Sequence, residues 1–257
     1  GGGQQWNTFG GMGAIADGTT VTFANMKVQN THAYRGGLLF VRQNGKLVLE
    51  GSQLVSGTAE VEGGAVHVSQ GGTLWMTDGS AIYSNEVTET FGTGAGVSVE
   101  LGSMTMVDSF VGGDPFNVSA NTGGGVTLET SDLYLYDSFI LNNIAVDEGG
   151  GVYALDRSII ELHGVSIVGF PAGLGNRAHD GAGLYLSGQT TLDLYDESAV
   201  GYNGANEFGG GLYATDESVA TLHDADTGIY SNTARFGGGA YVTGSNSSLI
   251  LQDGSVE

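Results

Sequence analysis

Apolar and polar residues alternate with a period of two in short runs along this chain. No stretch carries the 3.6-residue period of an amphipathic helix, so the pattern predicts strands throughout. The clearest run is apolar-x-apolar-x-Asp, as in Leu74-Trp75-Met76-Thr77-Asp78. It returns at residues 104–108, 133–137, 192–196, 220–224 and 249–253. A second run follows small-residue triplets and reads Val126-Thr127-Leu128, Val152-Tyr153-Ala154, Leu184-Tyr185-Leu186 and Leu212-Tyr213-Ala214. A third closes on asparagine, at Asn85, Asn143, Asn203 and Asn232.

The triplets begin at Gly36, Gly63, Gly94, Gly123, Gly149, Gly181, Gly209 and Gly237, a spacing of roughly 28 residues. Three short strands and three corners per repeat are one coil of a parallel β-helix. The expectation is therefore an all-β, right-handed parallel solenoid of about nine coils of about 28 residues, with three strands per coil, forming one domain over residues 1–257. Coils ~4.8 Å apart make a rod of roughly 43 Å. Alternation turns Leu74, Met76, Leu133, Leu135, Ile160, Leu162, Leu192, Leu194, Leu249 and Leu251 inward.

Each repeated residue then has an expected place. Asn85, Asn143, Asn203 and Asn232 form a ladder in an inner corner, where stacked amides hydrogen-bond along the rod. Asp78, Asp108, Asp137, Asp196, Asp224 and Asp253 also stack, which favours Asx turns or, alternatively, calcium ions bridging neighbouring coils. Tyr153, Tyr185, Tyr213 and Tyr241 face outward in a row, either as a stiffening ladder or as a surface for sugar rings or a protein. Glu161 and Asp193 fall side by side in adjacent coils, and "FPAGLGNRAHDGAG", with Arg177, His179 and Asp180, reads as a bulge on the scaffold. Sequons occur at Asn117 and Asn246.

Composition narrows the function. A net charge of −21, from 7 basic and 28 acidic residues, excludes nucleic acid and an anionic membrane surface as partners. There are 47 glycines, 2 prolines and no cysteine, so the coil is held by packing and tight corners rather than disulfides. No nucleotide loop, zinc motif or nucleophile elbow is present, and no catalytic residue is assigned.

The copies "GGGLYA" and "IYSNTARFGGG" resemble the GGA[ILV] and FxxN repeats of the polymorphic outer-membrane proteins and related autotransporter or adhesin passengers. The quartets are Gly63-Gly64-Ala65-Val66, Gly149-Gly150-Gly151-Val152 and Gly209-Gly210-Gly211-Leu212; Ile82-Tyr83-Ser84-Asn85 typifies the second motif, with an aliphatic residue where the family has Phe. The resemblance implies an exported β-helix at a cell surface, commonly adhesive. The half-coil at residues 1–9, with Gln4, Gln5, Trp6, Asn7 and Phe9, matches what the incomplete coil at 249–257 lacks beyond Val256 and Glu257. This suggests head-to-tail assembly into an extracellular fibre or, alternatively, a section of a longer repeat array. The expectation is a fibre or adhesin stalk that also engages a carbohydrate or another surface ligand. The alternative is a polysaccharide lyase or hydrolase on the same scaffold.

Overall fold

A computed structural model describes residues 9–119, 121–170 and 173–257. Its strands are stacked in parallel into four sheets that run the length of a solenoid. Three sheets have nine strands each and correspond to the three expected runs. Coils are numbered 1 to 9 by their strand in the first sheet: Gly13–Ile15, Leu39–Val41, Val66–Ser69, Val97–Glu100, Val126–Glu129, Val152–Leu155, Leu184–Leu186, Leu212–Ala214 and Ala240–Val242.

The fourth sheet was not foreseen. Its seven strands, among them Thr58–Glu62, Ile144–Ala145, Arg177–Asp180 and Gly204–Phe208, lie between the asparagine corner and the glycines. Several are only two residues long, too short to show an alternating pattern. The supposed bulge around Arg177 is accordingly one of these strands, with Arg177 paired to Ile144 and Gly204.

Inward residues form continuous columns. One runs Leu47, Leu74, Met104, Leu133, Ile160, Leu192, Ala220 in strict register down the second sheet, each with no solvent exposure. Val66, Val97, Val126, Val152, Leu184 and Leu212 do the same in the first sheet. Burying each such side chain contributes roughly 1.5–3 kcal/mol. Leu249 is only partly covered and Leu251 is 47% exposed, because no described coil lies beyond coil 9.

The glycine triplets solve two separate steric problems. The first glycine of each, such as Gly63 (φ 65°) or Gly149 (φ 65°), takes the left-handed conformation that an L side chain rarely adopts. At the second, the chain passes against the next coil: a Cβ on Gly64 would overlap the Ala95 carbonyl oxygen and lie 2.8 Å from that of Glu86.

The asparagine ladder is longer than its sequence signal. Nδ2 of each residue donates to Oδ1 of the next, through Asn85, Asn117, Asn143, Asn176, Asn203 and Asn232, at 2.9–3.1 Å. Asn117 and Asn176 had no recognisable motif around them. Asn117, with no solvent exposure, is closed to glycosylation in the folded chain, whereas Asn246 is exposed.

A second polar ladder lies beside the aspartates. Asp78, Asp108, Asp137 and Asp196 adopt left-handed backbone angles of 47–57°. The serine that follows points inward, and the Ser80, Ser138 and Ser166 hydroxyls accept from the Ser52, Ser109 and Ser138 amides at 3.1 Å. The carboxylates themselves cap the neighbouring coil rather than closing local Asx turns: Asp137 accepts from Val165 at 2.9 Å, Asp196 from Gly164 at 3.1 Å, and Asp224 from Asp196 at 2.9 Å.

Candidate functional site

The outer face of the first sheet carries the chemistry. The central outward position of coils 1 to 9 reads Ala14, Phe40, His67, Ser98, Thr127, Tyr153, Tyr185, Tyr213, Tyr241, in unbroken register. Rings occupy coils 2 and 3 and coils 6 to 9 of this column, small hydroxyl residues coils 4 and 5, and Ala14 coil 1. The result is an aromatic platform over coils 6 to 9 and a notch over coils 4 and 5.

The platform is built from the four expected tyrosines, all half-buried. Ring centroids are 5.3 Å apart from Tyr153 to Tyr185, 4.7 Å to Tyr213 with planes within 4°, and 5.5 Å to Tyr241. Phe208 and Phe236, stacked at 5.3 Å on the adjoining fourth-sheet side, widen it. Burial, followed by the charge of Glu148, pushes the Tyr153 and Tyr185 hydroxyls well above the usual phenol range. Burial raises the Glu148 carboxyl, the two phenols oppose this, and Asp180 and Asp147 add to the rise.

Beside Tyr153 the surface drops into two adjoining cavities. The larger, about 430 Å³, is lined by Asn121, Asp147, Glu148, Tyr153, His179 and Asp180 among others. The smaller, about 100 Å³, lies over Ser98 and Thr127 between Glu62, Glu100, Glu129 and Tyr153. Burial raises the Glu62 carboxyl; Arg35 pulls it back, while Glu100 and Glu129 push it further up. Glu129 is raised in the same way, by burial and then by Glu100 and Asp156. His67 closes the notch on the far side, its ring stacked on Phe40 at 5.0 Å and 10°. Burial and then Arg35 pull its pKa down to about 3, so the imidazole is neutral.

Buried polar atoms without a hydrogen-bond partner concentrate here: Arg35 Nε, Glu62 Oε2, His67 Nε2, Thr122 Oγ1 and Thr127 Oγ1. In folded proteins such atoms are scarce, so their clustering marks this notch as chemically unfinished.

Apart from His179 and Asp180, which line the larger cavity, the remaining expected residues lie elsewhere. Glu161 and Asp193 are register neighbours in the second sheet, but each is engaged by a histidine: His163 Nε2 at 3.2 Å from Glu161 and His223 Nε2 at 2.8 Å from Asp193. Those histidines belong to a second stacked column, Tyr136, His163, Tyr195, His223, with centroids 4.3–5.0 Å apart. His179 faces Asp180 at 3.2 Å and Glu207 at 3.6 Å. The six-aspartate row contributes to no group of three possible metal ligands among the described residues; the one such group is Glu62, His67 and Glu100. Gln4, Gln5, Trp6 and Asn7 lie outside the described residues. Phe9 bridges Arg35 and stacks on Phe40 at 5.3 Å, Val256 pairs with Ile229, and Glu257 N donates to Ile229 O at 2.9 Å.

The notch was missed because its residues share no motif. Its signal is the residue two places after the triplet, which switches from ring to hydroxyl at "GVSVE" and "GVTLE" and back at "GVYAL". Comparison with family models, with curated proteins and with solved structures found no match for this chain.

Proposed function

We propose that this chain is a non-catalytic, extracellular structural protein, the rod of a surface fibre or adhesin stalk, whose first-sheet face recognises neutral glycans. The observation that carries the reading is the row of Tyr153, Tyr185, Tyr213 and Tyr241, in register and half-exposed over four coils. Flat rings in line offer apolar faces to the C–H faces of successive sugars. The carboxylates at its edge, Glu148 and Asp180, accept hydrogen bonds from sugar hydroxyls. Position in the sheet holds the rings already ordered, so little side-chain entropy is lost on binding.

Charge argues against the alternative of a polyuronate-cleaving lyase. A polyanionic substrate would approach a chain of net charge −21 through a notch lined by Glu62, Glu100, Glu129 and Glu148. The stalk reading draws on the repeated, elongated architecture. A further coil, from the same polypeptide or from a second copy, would stack on the strand edges at either end of the described coils.

The test is binding to a panel of neutral and uronic-acid oligosaccharides, with turnover followed in parallel. Retention of neutral glycans, lost in Tyr185→Ala and Tyr213→Ala, supports the reading. Equal retention by the variants, or depolymerisation of polygalacturonate, overturns it.

A further inference from the structure

We propose that His67, Glu100 and Glu62 form a binding site for one divalent cation of the Zn²⁺ type. This site lies at the edge of the recognition face but does not depend on glycan binding.

The argument starts from the buried imidazole. The His67 side chain is 1% exposed and held flat by Phe40. Its Nδ1 is within hydrogen-bond distance of Ser98 Oγ at 3.3 Å, and the tautomer that donates there leaves Nε2 without a proton. Nε2 is then a bare lone pair. It has no hydrogen-bond partner, and the atom it faces is Glu100 Oε2 at 3.9 Å.

Two acceptors confronting one another inside a protein are repulsive unless something positive lies between them. A proton on Nε2 would meet its acceptor at 3.9 Å, beyond hydrogen-bond reach. A metal ion serves without protonation: bonds of ~2.0–2.2 Å to an imidazole nitrogen and a carboxylate oxygen span a gap of this size. Glu62, with a carboxylate oxygen within 4.8 Å of the other two ligand atoms, supplies the third oxygen; its Oε2 is buried and makes no hydrogen bond, only the ion pair to Arg35.

The donor set selects the class of ion. One imidazole and two carboxylates suit zinc and its neighbours, whereas calcium needs six or more oxygens. A cation would also offset the mutual repulsion of Glu62, Glu100 and Glu129 around the smaller cavity. Arg35 works against it, since its Nε already lies 3.3 Å from Glu62 Oε2. The way in is on the Glu100 side, where that side chain is 42% exposed above the smaller cavity.

The experiment titrates the 257-residue chain with Zn²⁺ by calorimetry in millimolar Mg²⁺, which occupies exposed carboxylates. Co²⁺ absorption provides a second readout. The expected result is one equivalent of Zn²⁺ bound and a visible Co²⁺ band bleached by Zn²⁺. Affinity should fall by about 10- to 100-fold or more in His67→Phe and Glu100→Gln, and not in the exposed control Glu50→Gln. Phenylalanine already occupies the equivalent position at Phe40, and Glu100 is partly exposed, so circular dichroism should show both variants folded. If His67→Phe does not fold, Glu100→Gln alone decides. Absence of saturable binding to the parent chain, or binding unchanged in the folded variants, overturns the proposal.

Discussion

Replacing Asn176 with alanine should cost this solenoid a large part of its local stability. The Asn176 side chain is fully buried and makes all four hydrogen bonds available to it. Nδ2 donates to Ile140 O at 2.9 Å and Asn203 Oδ1 at 3.0 Å; Oδ1 accepts from the Asn143 amide at 2.9 Å and Asn143 Nδ2 at 3.1 Å. Alanine leaves the buried Asn143 amide without its partner, while the Ile140 carbonyl keeps the Gly169 amide at 2.7 Å. Asn143 Nδ2 keeps Val111 O, and Asn203 Oδ1 keeps the Asn176 amide, so those losses are smaller. One buried orphan costs roughly 1–3 kcal/mol, to which the lost second bonds of the other groups add less. Because each coil touches only its neighbours, the loss should be concentrated around coils 5 to 7. Native-state hydrogen exchange measures this directly: amides there should exchange faster by a factor set by that energy, while those of coils 2 and 3 change little. Asn206→Ala, at an exposed position of the same sheet region, is the control and should stay within about 0.5 kcal/mol. Equal effects of Asn176→Ala and Asn206→Ala would refute the satisfaction argument.

Gly64→Ala should prevent folding or lower stability by more than about 4 kcal/mol, because its Cβ meets only backbone; Gly13→Ala, with open space around it, should be tolerated, and thermal melts compare the two. Glu148 should make stability fall as pH rises. Its native carboxyl holds its proton above the unfolded value of 4.5, so the folded state binds more protons in that window. Glu148→Gln, which removes the titrating group and keeps the shape of the side chain, should therefore gain in melting temperature over the parent as pH is raised from about 4 towards 7. A constant difference would contradict it. Electron microscopy should show rods that associate end to end at high concentration if a second copy stacks on the terminal coils, and dispersed single rods would remove the head-to-tail fibre.

Much of the architecture was legible because a repeat multiplies weak signals. A single run such as Leu133-Tyr134-Leu135-Tyr136-Asp137 is ambiguous, but six aligned copies fix its period, its inward face and its corner. The glycine triplets were equally plain, since their steric demand leaves almost no other residue usable. What escaped was everything that a neighbouring coil supplies. Asn117 and Asn176 join the ladder through partners 26–33 residues away, and their own surroundings differ from those of the other rungs. The fourth sheet consists of strands too short to alternate.

The candidate site shows the same division. The chain by itself determined the solenoid, its aliphatic columns and the outward row of tyrosines, because periodicity and glycine sterics are local properties of the sequence. Only tertiary structure brought Glu62, His67 and Glu100 together, from three successive coils and from both sides of a glycine corner. It also left His67 Nε2 buried opposite a carboxylate. Register between coils sets those distances, and no residue's immediate neighbours encode them.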